Sequence, residues 1–210
     1  LYLLETHYPQ LMAFFCGLVL ASTFFLRRQV LRWGGLEVAF LVLGVGITLL
    51  IAFINPLAGQ STYLYLFLCG AIAICAMILP GISGAFILLL LGVYEYVLAA
   101  LRALDVGVIV VFAAGCATGL LSFAHLLSWT FRHYREQTYA FLTGMLLASV
   151  VVLWPWKLSP EHGAVGASYL SPSAYAGATG NSVNVLTAFG FFILGFALVT
   201  IFERISRRRS

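Results

Sequence analysis

The sequence predicts an all-α polytopic membrane protein, with about five spanning helices and a broken helical hairpin over residues 62–101. Three observations predict it. The 210-residue chain is 62% hydrophobic and 9% charged, with a mean hydropathy of +1.04. A soluble domain of that size cannot hide so much apolar surface, whereas lipid removes the need to hide it. Residues 6–26, 38–94, 106–131, 137–156 and 162–202 contain no Lys, Arg, Asp or Glu, and a spanning helix needs roughly 20 apolar residues. Finally, one of these intervals is interrupted by Pro80-Gly81-Ile82-Ser83-Gly84, poor helix material with no charge beside it. The whole chain, 1–210, reads as one membrane domain.

The first span is expected at residues 9–26, with Pro9 tolerated in a first helical turn. Its basic residues follow the apolar run, so it is not a signal peptide. The chain opens on Leu1 and reads as a fragment or processed product. The loop "RRQVLRWGGLE" carries three Arg and is expected on the cytoplasmic side, because short Arg-rich loops stay there. Residues 38–54 return outward and stop at Asn55-Pro56. Residues 62–79 enter again, meet the Pro-Gly break, and a second apolar run leaves from Ala85 towards Leu101. Residues 106–131 form a long span ending at the basic "RHYRE", and residues 137–156 end in the interfacial "WPWK". Residues 157–182, rich in Gly, Ala and Ser, read as a flexible extracytoplasmic loop. Residues 183–202 are the last span, and 203–210 a basic cytoplasmic tail.

Parity then constrains the break. The loops at Arg27 and Arg132 share one side, and residues 38–54 and 106–131 use the two changes of side between them. The unit between must begin and end outside, as a hairpin with "PGISG" at its turn. Either both arms cross fully or the hairpin turns within the membrane. A full crossing calls for a polar or basic turn, which is absent, so the re-entrant form is favoured. Non-helical backbone at that depth is tolerated where it is buried in protein or lines a wet cavity.

A broken helix exposes helix ends. Pro80 ends the first arm, and Leu79 before it is biased away from helix. Gly81 and Gly84 tolerate backbone angles that other residues avoid, and Ser83 is a fair N-cap for the second arm. The N–H groups of Gly84, Ala85 and Phe86 then lack intrahelical acceptors, which is either an anion site built from backbone or a tight turn satisfied by neighbours. Other polar groups are few. Glu95 and Arg102 share a helical face, and Asp105 is placed to pair with Arg102; this is either a charged helix end or an Arg that meets an anionic headgroup beside a protonatable Glu95. Thr118, Ser122 and His125 share a stripe beside the small-residue motif "GCATG", where packing with a hydrogen-bonded His is the simpler account. The four cysteines lie in apolar runs without metal-site spacing, so no metal or cofactor is expected. The net charge of +4 comes from Arg residues flanking spans and does not point to nucleic acid.

"ILPGISGAFILLLLGVYE", followed after a span and a basic loop by "FLTGMLLASVVVLWPWK", resembles the bacterial polyprenyl-phosphate transporter family. Members look like undecaprenyl-phosphate flippases that return the carrier lipid for cell-envelope synthesis. The resemblance implies a lipid phosphate at Pro80, Gly81, Ser83, Gly84, Ala85 and Arg102, coupling through Glu95 and His125, and a bacterial cytoplasmic membrane with the C-terminus inside. Members usually carry an earlier Pro-Gly-x-Ser-Gly segment, related to the later one as an inverted repeat. Only one stands here, so the chain is expected to be the C-terminal part of a longer protein. Ala148 stands where Gly is expected, and Val151 where a basic residue is expected. The rival reading is a rhomboid-like intramembrane serine protease, with Ser83 as nucleophile and His125 as base. A third is a transporter of another anionic lipid or small anion.

Overall fold

The computed structural model describes residues 8–54, 59, 62–158, 168–169, 171–172, 177 and 185–209. In chain order the helices are α1 (Tyr8–Arg27), α2 (Gly35–Phe53), α3 (Tyr63–Ile78), α4 (Gly84–Leu90), α5 (Tyr94–Ala103), α6 (Val106–His133), α7 (Arg135–Val152) and α8 (Val185–Arg209). Among the described residues four helical stretches are long and apolar enough to cross a membrane, namely Pro9–Arg27, Gly35–Phe53, Val106–His133 and Val185–Ile205. The bent pair α4–α5 makes a fifth if counted as one span. The chain is therefore a multi-pass, all-α membrane protein. Helix α7 has 18 residues but starts in the basic loop, with Glu136 in its first turn.

The chain divides into two compact units, one of Leu1–Ala52 with Tyr139–Ser210, the other of Phe53–Thr138. In the first, α1 packs along α8. A Cβ at Gly17 would strike the Phe192 carbonyl, and one at Gly195 the Phe14 carbonyl. Small residues let helix backbones approach this closely where lipid supplies no hydrophobic drive. Gly44 and Gly144 bring α2 against α7 in the same way, facing the backbone of Phe141 and Leu41. Helix α2 starts at Gly35, earlier than the apolar run alone implies. Glu37 Oε2 accepts the Gly34 N–H at 3.0 Å, a reach back to the helix start that satisfies an otherwise orphaned donor. Strands β1 (Lys157–Leu158) and β2 (Ser168–Tyr169) pair antiparallel, and most of the expected loop 157–182 lies outside the described residues. Helix α8 runs on to Arg209, so the described part of the basic tail is helical.

In the second unit α3 and α6 lie side by side and run the same way. Gly115 faces the Phe67 backbone, Gly119 faces Ala71, and Cys75 Sγ donates to the Gly119 carbonyl at 3.6 Å. Parallel neighbours need a connection that returns the chain to its starting end, and α4 and α5 make it. Helix α4 has only 7 residues, and α5 turns from it by 108°. The single return arm expected from Ala85 to Leu101 is thus two helices. The cause is a complete Schellman cap: Gly92 N–H donates to Leu89 O and Val93 N–H to Leu88 O, both at 3.0 Å, with Gly92 at φ 68°. Leu66, Cys69, Val93, Ala100 and Val108 form the buried core where α5 lies against α3 and α6.

Candidate functional site

The break before α4 is shaped by its own residues. Leu79 adopts the extended conformation that Pro80 demands, at φ −76° and ψ 128°. Gly81 takes φ 93°, open to glycine at little cost. Ser83 is the N-cap of α4, and its carbonyl accepts from Ile87 N–H at 3.1 Å. Its side chain makes no capping bond, so the hydroxyl stays exposed beside the first N–H groups of the helix. Gly84 is buried against α3: a Cβ there would strike Met77 Cγ and come within 2.9 Å of the Ala73 carbonyl. Ala85, next along, is exposed.

The depth of this turn follows from the α3–α6 pairing. With Phe67 beside Gly115 and Cys75 bonded to Gly119, the end of α3 at Ile78 lies near the level of Ala124. Arg132 lies eight residues further along α6, about 12 Å at the helical rise. The end of α3, where the turn begins, therefore stops short of the basic end of its own unit by about 12 Å. His125 lies at the level of the turn, exposed on α6.

Not every expected residue is gathered there. Leu91, just past α4, is back at the entry end, where its carbonyl accepts the Tyr65 hydroxyl at 2.8 Å. Glu95 and Arg102 follow on α5, both exposed. Arg102 precedes the start of α6, so it stands about 25 Å along the unit from the turn. It does not join Pro80, Gly81, Ser83, Gly84 and Ala85 in one cluster. Nor does Asp105 pair with Arg102: its Oδ1 accepts the Gly107 and Val108 N–H groups at 3.1 and 3.3 Å and caps α6. Between them Leu104 takes a left-handed φ of 55° to close α5. Thr118 donates to the carbonyls of Ala114 and Gly115 at 2.9 Å, so its hydroxyl is spent within α6.

Two features escaped the sequence reading. The Schellman cap at Gly92 was signalled by a glycine inside the apolar run, a common C′ residue. The Asp105 cap was signalled by an Asp before "VGVIVV". The Ser83–His125 dyad of a protease is not formed, since among the described residues no hydrogen bond joins the two.

Comparison with known proteins narrows the class. A polyprenyl-phosphate transporter of Vibrio cholerae serotype O1 is 44% identical over 156 residues, covering 74% of this chain and 51% of the relative. A polyprenyl-phosphate transporter of Staphylococcus aureus is 27% identical over 176 residues, covering 73% of this chain and 61% of the relative. The chain thus spans between half and two thirds of the length of these curated relatives. No solved structure matches it. The family is one of transporters and not of proteases. With the family model matching residues 1–165, the chain belongs to the VCA0040-like, undecaprenyl phosphate translocase-like family.

Proposed function

We propose that the protein moves undecaprenyl phosphate, or a related polyprenyl phosphate, across the bacterial cytoplasmic membrane, and that the turn before α4 receives the phosphate. The observation that carries this is the position and chemistry of the turn. It begins about 12 Å short of the basic end of α6, and it presents an uncapped Ser83 hydroxyl beside the N–H groups of Gly84, Ala85 and Phe86. A phosphate at that depth needs donors, because water is scarce there. A short helix contributes little dipole, so the individual hydrogen bonds carry the binding. The polyprenyl tail stays in lipid throughout. Arg102, at the entry end of the unit, is placed to meet the headgroup first, as guanidinium matches phosphate in charge and fork geometry. Glu95 and His125 are the titratable groups proposed to couple movement to a proton gradient. The positive-inside rule puts Arg27, Arg132 and the C-terminus in the cytoplasm.

The test is reconstitution of the full-length protein in vesicles, following a short-chain polyprenyl phosphate between leaflets. Flipping above protein-free vesicles is expected. Gly84→Val should abolish it, because the added side chain forces α4 away from α3. A folded wild-type protein that does not flip the lipid refutes the function. Unchanged flipping by Gly84→Val refutes the site.

A further inference from the structure

The first unit holds a feature that the hairpin does not use. A cavity of about 510 Å³ lies between α1, α2 and α7, lined by Leu20, Thr23, Arg27, Trp33, Leu41 and Thr143 among others. A second, of about 300 Å³, lies between α1, the end of α7 and α8, lined by Cys16, Leu20, Val150, Trp154, Trp156 and Phe192 among others. Leu20 lines both. The α1 residues Cys16, Leu20, Thr23 and Arg27 recur at helical spacing, as do Thr143, Leu147, Val150 and Trp154 on and just past α7. The cavities therefore sit end to end along one seam between antiparallel helices, with Leu20 at their junction. From Cys16 to Arg27 the seam is about 16 Å long.

Its walls are largely apolar, with the buried Trp156 indole N–H unpartnered among the described residues at the far end of the second cavity. The Thr23 hydroxyl donates to the Val19 carbonyl at 2.8 Å and that of Thr143 to Tyr139 at 2.6 Å, so both threonines have spent their polar atoms on their own helices. At the other end stands Arg27, among the described residues the one charged residue lining either cavity. Its guanidinium makes no hydrogen bond or ion pair among the described residues; it is exposed and lies 5.8 Å from the Phe24 ring. Arg28 stacks more closely on the same ring, at 4.5 Å, but does not line the cavity. A largely apolar seam with one guanidinium free of hydrogen bonds at its end complements a single long hydrocarbon chain ending in a phosphate.

We infer that the α1–α7 seam is a binding site for a single-chain lipid monophosphate, with the phosphate on Arg27 and the chain passing Leu20 towards Trp154. The site uses none of the hairpin residues and lies at the basic end of α1. It would hold the headgroup at the leaflet that the basic loop faces.

The test uses the full-length protein in nanodiscs and a short-chain prenyl monophosphate bearing a terminal diazirine. After photolysis, labelled peptides are mapped. Label is expected in residues 13–27 and 143–156, and the uncharged prenol should compete at least about tenfold more weakly. Arg27→Gln should weaken labelling at least about tenfold, while Arg28→Gln stays within about twofold. Leu20→Trp keeps every charge but should cut labelling beyond the junction. Melting curves verify that each variant is folded. The inference is overturned if Arg27→Gln labels like wild type, if phosphatidylglycerol competes as well as the prenyl monophosphate, or if label falls only in residues 77–95. That last pattern supports the hairpin reading alone. Seam labelling in a protein whose Gly84→Val variant still flips lipid removes the hairpin reading and leaves this one standing.

Discussion

Replacing Ser83 by Ala separates a structural role from a binding one. An N-cap serine whose hydroxyl bonds the helix contributes about 1 kcal/mol, and its loss to Ala is normally felt as stability. At Ser83 the backbone has cap geometry, φ −94° and ψ 128°, but the side chain makes no capping bond. Ser83→Ala should therefore shift stability by less than about 0.5 kcal/mol. If the hydroxyl donates to a lipid phosphate, the lost bond is to a charged acceptor and worth about 1.5–3 kcal/mol. That corresponds to about a 10- to 150-fold weaker apparent affinity. The assay pairs melting of the reconstituted protein with flipping rates over a range of short-chain polyprenyl phosphate concentrations. The expected outcome is an unchanged melting curve and a rise in half-saturating lipid. Half-saturation within about twofold of wild type refutes the hydroxyl as a ligand. A melting loss typical of a broken cap refutes the structural premise.

Other substitutions probe the frame around the turn. Asp105→Ala removes the acceptor for the Gly107 and Val108 N–H groups and should destabilise the start of α6 by about 0.5–2 kcal/mol, read as a lower unfolding midpoint. Leu104→Gly relieves a left-handed backbone at a residue that is 74% exposed and should stabilise by up to about 1 kcal/mol in the same measurement. Glu95→Gln and His125→Ala should each reduce gradient-driven flipping without changing flipping in ungraded vesicles; if both leave it unchanged, proton coupling through these groups is excluded.

How much of this was legible in the sequence depends on the range of the interactions concerned. The long helices were readable because lipid imposes length and apolarity residue by residue, and charge is confined to their ends. The turn at Pro80–Gly84 was readable for a similar reason, since Pro and Gly act on their own backbone. The break at Gly92 also had a local signal, but a single Gly inside an apolar run is ambiguous: Gly44, Gly70 and Gly115 lie within helices and serve close approach. Only the packing of Val93 into the core of α3, α5 and α6 distinguishes it.

The sequence by itself determined the membrane class, the main apolar segments, the broken hairpin and the family, because each is written in composition, periodicity or a contiguous motif. Tertiary structure alone decided that α3 and α6 run parallel with glycines at their contact, and hence that the turn begins about 12 Å short of Arg132. It also separated Arg102 from the turn, turned Asp105 into a cap, and joined two cavities at Leu20. Those results depend on which helix faces meet, and that depends on residues far apart in the chain.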